Sequence, residues 1–114
     1  MFTLNDNKEY EAEIGGITFV CEAPDKNLEE TAAEIARIYE SKLNSIAEFM
    51  IEEGICDCYG ELTSEKIISS LGKPVIYLER CVITYLEHTL DDIHIFDVEY
   101  GGLLDEFFYF SING

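Results

Sequence analysis

Leu28, Ala32, Ile35, Tyr39, Leu43, Ile46 and Met50 recur at steps of four and three. Steps of that size place all seven on one side of an α-helix, because successive turns bring i, i+3 and i+4 onto the same face. Asn27 followed by Glu30 has the form of a capping box and predicts where the helix begins. Gly54 suits the position just past its end, so the helix runs about 26 residues. Glu29, Glu30, Glu34, Glu40, Glu48 and Glu52 occupy the other side and face water. A helix this long must lay its apolar stripe on something. A coiled-coil seam is one solution, but strand-like segments flank the helix on both sides, which predicts packing on a sheet.

Before the helix, Glu9, Glu11 and Glu13 alternate with Tyr10, Ala12 and Ile14, the pattern of a strand with one wet side. Gly15-Gly16 accepts the positive φ values of a tight hairpin turn, and Ile17 to Glu22 reads as the returning strand, ended by Pro24-Asp25. After the helix, Thr63 caps a short second helix whose buried side is Ile67, Ile68 and Leu71, closed by Gly72-Lys73-Pro74. Val75 to Leu78 and Val82 to Leu86 are rich in branched and aromatic residues, with Glu79-Arg80 as a turn or bulge between them. His94, Phe96 and Val98 alternate against Ile95, Asp97 and Glu99; Gly101-Gly102 marks a hairpin loop, and Phe107 to Ile112 the last strand. The expected fold is a single α+β domain over residues 1–114, of order ββααβββ. It is an antiparallel sheet with one long and one short helix on one face. The stripe should pack on Phe19, Phe96, Val98 and Tyr109.

The chain has 24 Asp and Glu against 7 Lys and Arg, a net charge of −17, yet 47% of its residues are hydrophobic. Charge alone would suggest disorder, but low hydrophobicity is the other half of that signature and is missing. Nothing beyond Arg80 is basic, whereas Glu87, Asp91, Asp92, Asp97, Glu99, Asp105 and Glu106 all come after it. Such a field repels nucleic acid and anionic membranes and attracts a cationic partner. No basic segment leading into an apolar run opens the sequence, and no stretch approaches the roughly 18 apolar residues that span a bilayer. The expected location is the cytoplasm, with Cys21, Cys56, Cys58 and Cys81 reduced rather than paired in disulfides.

No catalytic or metal-binding constellation emerges. Structural zinc draws on Cys pairs two to four residues apart, whereas Cys56 and Cys58 are separated by one and no second pair exists. Cys21 and Cys81 fall in strand-like runs, where a free Cys is a small buried hydrophobe. Glu52, Glu53, Asp57 and Glu61 surround Cys56 and Cys58 and disfavour a thiolate. His94 shares a strand face with Phe96 and Val98 and reads as a core or edge residue. Asp91-Asp92 and Asp105-Glu106 read as solvated turn acids, without the Asp-x-Asp-x-Asp-Gly spacing of a calcium loop. No phosphate-binding loop is present. The sequence therefore predicts no enzyme, no cofactor and no metal, and a protein partner that is basic. Asp97 and Glu99 share one strand face, and the turns beside them hold Asp91, Asp92, Asp105 and Glu106. With Glu87 these residues are the expected partner-binding surface, one contiguous acidic patch.

Gly72-Lys73-Pro74-Val75-Ile76, Ile83-Thr84-Tyr85, His94-Ile95-Phe96-Asp97-Val98, Gly102-Leu103-Leu104-Asp105 and Ile112-Asn113-Gly114 form a pattern covering the last 43 residues or so. This pattern is similar to that of small acidic bacterial immunity proteins from polymorphic-toxin and contact-dependent growth inhibition systems. Its motifs are mostly β-hairpin grammar, and the first 70 residues or so carry no such likeness. The resemblance implies a cytoplasmic antitoxin that binds one cognate toxin domain, and it brings no catalytic residues with it. The charge fits independently: a toxin that cuts nucleic acid presents a basic surface, and acidic side chains can take the place of phosphates there. The other reading of the same charge is an acidic adaptor or nucleic-acid-mimicking regulator of another basic protein.

Overall fold

The computed structural model describes all 114 residues as ten elements. In chain order they are β1 (Thr3–Leu4), β2 (Tyr10–Ile14), β3 (Ile17–Cys21), α1 (Lys26–Glu52), α2 (Ile55–Tyr59), α3 (Ser64–Ser70), β4 (Pro74–Tyr77), β5 (Val82–Tyr85), β6 (Ile95–Gly101) and β7 (Glu106–Asn113). The strands lie side by side in sequence order in one 7-stranded sheet. The fold is α+β as expected, but the sheet is mixed. All neighbours are antiparallel except β3 and β4, which run parallel, with Phe19 opposite Ile76. The reason is the intervening helical segment. A parallel neighbour needs a long crossover, and α1 to α3 supply one, so β4 can return beside β3 in the same direction. Over the expected ββααβββ, the order also gains a short edge strand, β1, a third helix, α2, and a fourth strand after the helices, because β4 and β5 are separate strands joined by a turn.

The long helix forms from the predicted stripe. Ala32, Ile35, Tyr39, Ile46 and Met50 are buried, while Leu28 and Leu43 are half-buried at its margins. Its cap is Asp25 rather than Asn27: the Asp25 carboxylate accepts from the Leu28 backbone N–H at 2.8 Å. Asp25 serves because its backbone is extended while the residues after it are already helical. Glu53 caps the other end and Gly54 comes next at φ +99°, which lets the chain turn directly into α2. Thr63 caps α3 by accepting from Lys66 N–H, and Ile67 and Leu71 are buried. Gly15 and Gly16, both at positive φ, close the β2–β3 hairpin between the paired Ile14 and Ile17.

All helices cover one face of the sheet. Ile17, Phe19, Cys21, Ile76, Ile83, Tyr85, Phe96, Val98 and Phe110 point into one apolar cluster with α1, Ile55 and Ile67. Tyr109 does not. A bulge between Glu99 and Tyr100 shifts the register: Tyr100 pairs with Phe107, Glu99 with Tyr109, and Phe108 is the extra residue. The extra residue reverses the in–out parity of the rest of β7, so Phe110 fills the core and Tyr109 is 56% exposed on the far side. The core contains one polar pair, the Tyr39 and Tyr85 hydroxyls at 2.5 Å. Burial pushes Tyr39 up to about 12 and Tyr85 well above the ordinary tyrosine value.

Cys81 is not in a strand. It sits in the β4–β5 turn at φ 54°, and its carbonyl accepts from Tyr100 N–H. Next to it Glu79 reaches across to the exit of β3, where its carboxylate accepts from the backbone N–H groups of Glu22 and Ala23 at 2.9–3.2 Å. That contact fastens the segment leading into α1 to the second half of the sheet. No helix is long and apolar enough to cross a membrane.

Candidate partner-binding face

Period-2 alternation leaves the second face of the sheet uncovered, and the register determines its residues. Glu11 and Glu13 on β2 stand opposite Val20 and Thr18 on β3, and Thr18 and Val20 stand opposite Val75 and Tyr77 on β4. Tyr77 and Val75 face Val82 and Thr84 on β5, which face Glu99 and Asp97 on β6, which face Tyr109 and Ser111 on β7. The middle of this face is apolar and aromatic, and acids line it on both sides. The two acidic rows, on β2 and β6, are four strand spacings apart, about 19 Å.

Between β4 and β7 the face is hollowed into a groove of about 360 Å³, lined by Tyr77, Arg80, Val82, Thr84, Leu86, Ile95, Asp97, Glu99, Tyr109 and Ser111. Leu86 and Tyr109 are more than half exposed there. Arg80, carried out of the β4–β5 turn, lies over the Tyr77 ring with its guanidinium carbon 4.1 Å from the centroid. The region without a base in the sequence thus borrows one from the turn before β5. Asp97 is held in place: it accepts from Thr84 Oγ1 at 2.6 Å and from Asn113 Nδ2 at 2.8 Å. Glu99, beside it on the same face, is exposed, and no ion pair or side-chain hydrogen bond engages its carboxylate.

Asp91 is a different kind of acid. It is not a solvated turn residue but the hub of the loop between β5 and β6. Tyr59 Oη donates to it at 2.5 Å, His94 Nδ1 at 2.7 Å, and the backbone N–H groups of His94 and Ile93 at 2.9 and 3.1 Å. These bonds, Tyr59's first, hold its carboxyl well below the usual carboxylate range. Burial first, and then Asp91, pushes the Tyr59 phenol up. The two histidines of this loop differ in burial. His88 is the buried one, stacked on Phe96 at 3.8 Å between ring centroids, whereas His94 is half-buried and precedes β6. His88 Nδ1 accepts from Leu90 N–H at 3.2 Å, so its ring proton is on Nε2 and is donated to the His94 carbonyl at 2.7 Å.

The expected acids therefore do not form one contiguous patch. Glu87, Asp91 and Asp92 belong to the connection entering β6; Glu87 and Asp92 are exposed there. Asp105 and Glu106 lie at the far end of β6, about 20 Å along the strand. Asp105 also turns toward the helices, its carboxylate 3.5 Å from Lys42 Nζ of α1. Asp97 and Glu99 are on the open face itself, and Glu106, paired with Gly101 two residues beyond Glu99, shares their parity at its far end. Sequence reasoning missed Tyr77, Val82, Leu86 and Tyr109 as lining residues. The available signal was that β4 and β5 are apolar at both parities although one of their faces has no helix to cover it.

All four cysteines are free thiols: Cys21 in β3, Cys56 and Cys58 in α2, Cys81 in the turn. Burial and then the charges of Glu79, Asp25 and Glu29 raise Cys21 above the ordinary thiol value, against thiolate formation. No three His, Cys, Asp or Glu side chains gather as a metal ion would require. No family model, no curated protein and no solved structure matches the chain.

Proposed function

We propose that this protein is a stoichiometric immunity protein that binds and neutralises a cognate basic toxin domain, a nuclease, through the open face of its sheet. One observation carries the reading: an uncovered sheet face with an apolar, aromatic centre and acids on both sides. Specific interfaces have that anatomy, a desolvated core rich in Tyr and a polar rim. On a chain of net charge −17 the rim selects a cationic partner. Glu99 suits the role because its acceptor capacity is unspent. Opposite fields raise the encounter rate, which favours an inhibitor that must act before damage is done.

The test pairs the purified protein with a basic toxin domain encoded next to its gene. Protection of cells expressing that toxin, and a 1:1 complex weakened by Tyr109→Ala and Glu99→Gln together, support the reading. Failure to protect against the adjacent toxin, with a complex formed instead on a chromosomal DNA-binding protein, would replace it with the adaptor reading. Asp91 is left intact, since its removal would disturb the loop rather than the face.

A further inference from the structure

The two edges of the sheet are unlike. β1 is an edge of 2 residues, flanked by Asp6, Glu9 and Glu11. β7 is an edge of 8 residues, and from Phe107 onward no side chain in it is charged. β7 is the last strand of the sheet, so one row of its backbone N–H and C=O groups has no neighbouring strand. A long uncharged edge is what folded proteins normally avoid: they place Lys, Pro or an inward charge there, because a bare edge pairs with another strand. Here the bulge at Phe108 disrupts the start of the strand, but Tyr109 to Asn113 continues without any such device.

We infer that β7 is a self-association edge, pairing antiparallel with β7 of a second copy across a two-fold axis so that the two sheets become one. Charge selects a second copy as the occupant. An isologous contact sets each patch against itself, so on a molecule with 24 acids only a charge-free strip can serve. A cationic partner would instead seek the acids, and β7 offers it none beyond Glu106. Glu106 at the bulged start of β7 aside, the nearest open-face acids, Asp97 and Glu99, lie one strand inward. Across a β7–β7 pair the two sets are three strand spacings apart, about 14 Å, beyond the Debye length of about 8 Å at physiological salt. Edge pairing leaves the open face uncovered, so the dimer does not compete with the function proposed above and does not depend on it.

Salt separates the two interactions. Association of two strongly negative copies strengthens as salt rises, whereas capture of a basic partner weakens. The experiment is sedimentation equilibrium of the full chain alone at 0.1 M and 1 M sodium chloride, where the Debye length falls from about 10 Å to about 3 Å. The expected result is a monomer–dimer equilibrium at least tenfold tighter at the higher salt. Ser111→Lys lowers the net charge but puts a like charge on each edge, and should weaken the dimer at least tenfold at 1 M. Hydrogen exchange on the wild type gives a readout independent of the variant's folding: β7 amides should gain protection with protein concentration. A chain monomeric at both salts, a dimer that loosens with salt, or one indifferent to Ser111→Lys with unchanged β7 exchange would each overturn the inference.

Discussion

Asp91 and Glu99 are both acids of the base-free stretch after Arg80, yet they do opposite things. Asp91 accepts four hydrogen bonds and ties α2 to the loop before β6; Glu99 accepts none and stands on an open face. An acid whose lone pairs are already filled contributes charge to the long-range field but has little left for a partner's donors. An acid with an empty shell can both steer and bind. The difference teaches that an acidic region is not an interface in proportion to its acid count. Local hydrogen bonding decides which carboxylates build the fold and which remain available.

The covered and open faces of the sheet extend the same contrast, and six substitutions grade it. The largest effect belongs to the covered face. Ile35→Ala or Ile46→Ala, both fully buried, should cost about 2–5 kcal/mol in denaturant unfolding, and Leu43→Ala, half-buried, distinctly less. Equal losses at all three would mean that Leu43 is packed as deeply as the others.

Next is the one polar pair in the core. Tyr39→Phe strands the Tyr85 hydroxyl in a dry site and should cost about 1–3 kcal/mol at neutral pH. The folded-state values of both tyrosines are raised, so their contribution is fully present below the ordinary tyrosine value near 10. It is lost as pH climbs toward about 12 and beyond. The wild type should therefore unfold more readily in that alkaline window, monitored by circular dichroism against pH. An unchanged midpoint from pH 9 to 12 would contradict the buried pairing.

A smaller loss is expected for Asp91→Asn, which weakens the loop hub without opening a cavity. The carboxyl is depressed in the folded state, so its stabilisation is present above the ordinary aspartate value near 4. It fades as pH falls from there toward the depressed value. The melting-temperature gap between wild type and Asp91→Asn should shrink across that acid range; a gap constant down to pH 2 would show that the carboxylate's charge is not what holds the loop.

Glu99→Gln should be the mildest in stability, within about 0.5 kcal/mol of wild type, because nothing in the fold uses its charge. Its signature is kinetic: slower association with a basic partner, by several-fold at low salt, with the difference closing as salt rises. A loss of stability comparable to that of Asp91→Asn would erase the distinction between the two acids.

The elements were largely legible in the chain because each rests on local chemistry. The stripe from Leu28 to Met50, the Gly15-Gly16 turn, the Thr63 cap and the alternation of Asp97 and Glu99 against Phe96 and Val98 all act within a few residues. Asp25 outcompeted Asn27 as the cap by one turn's geometry, a choice the motif does not resolve. Tyr109 was misplaced because one extra residue at Phe108 reverses parity, and uncharged aromatics on both sides of a bulge carry no mark of which one is extra. The candidate face was only half legible. Its acids could be read from parity, but its aromatic floor joins β4, β5 and β7, which only the register brings together.

From the sequence by itself came the α+β class, the long helix and its buried stripe, both hairpins and the excess of acid. All of these rest on periodicity, turn stereochemistry and summed charge. Tertiary structure alone decided that β3 and β4 run parallel, that Arg80 shares a groove with Asp97 and Glu99, that Asp91 and not Glu99 is consumed by the fold, and that the uncharged strand became the sheet's long edge. The physical reason is the same in each case. These properties depend on which groups meet across distant parts of the chain, and a hydrogen-bond acceptor is spent or free only according to what stands within about 3 Å of it.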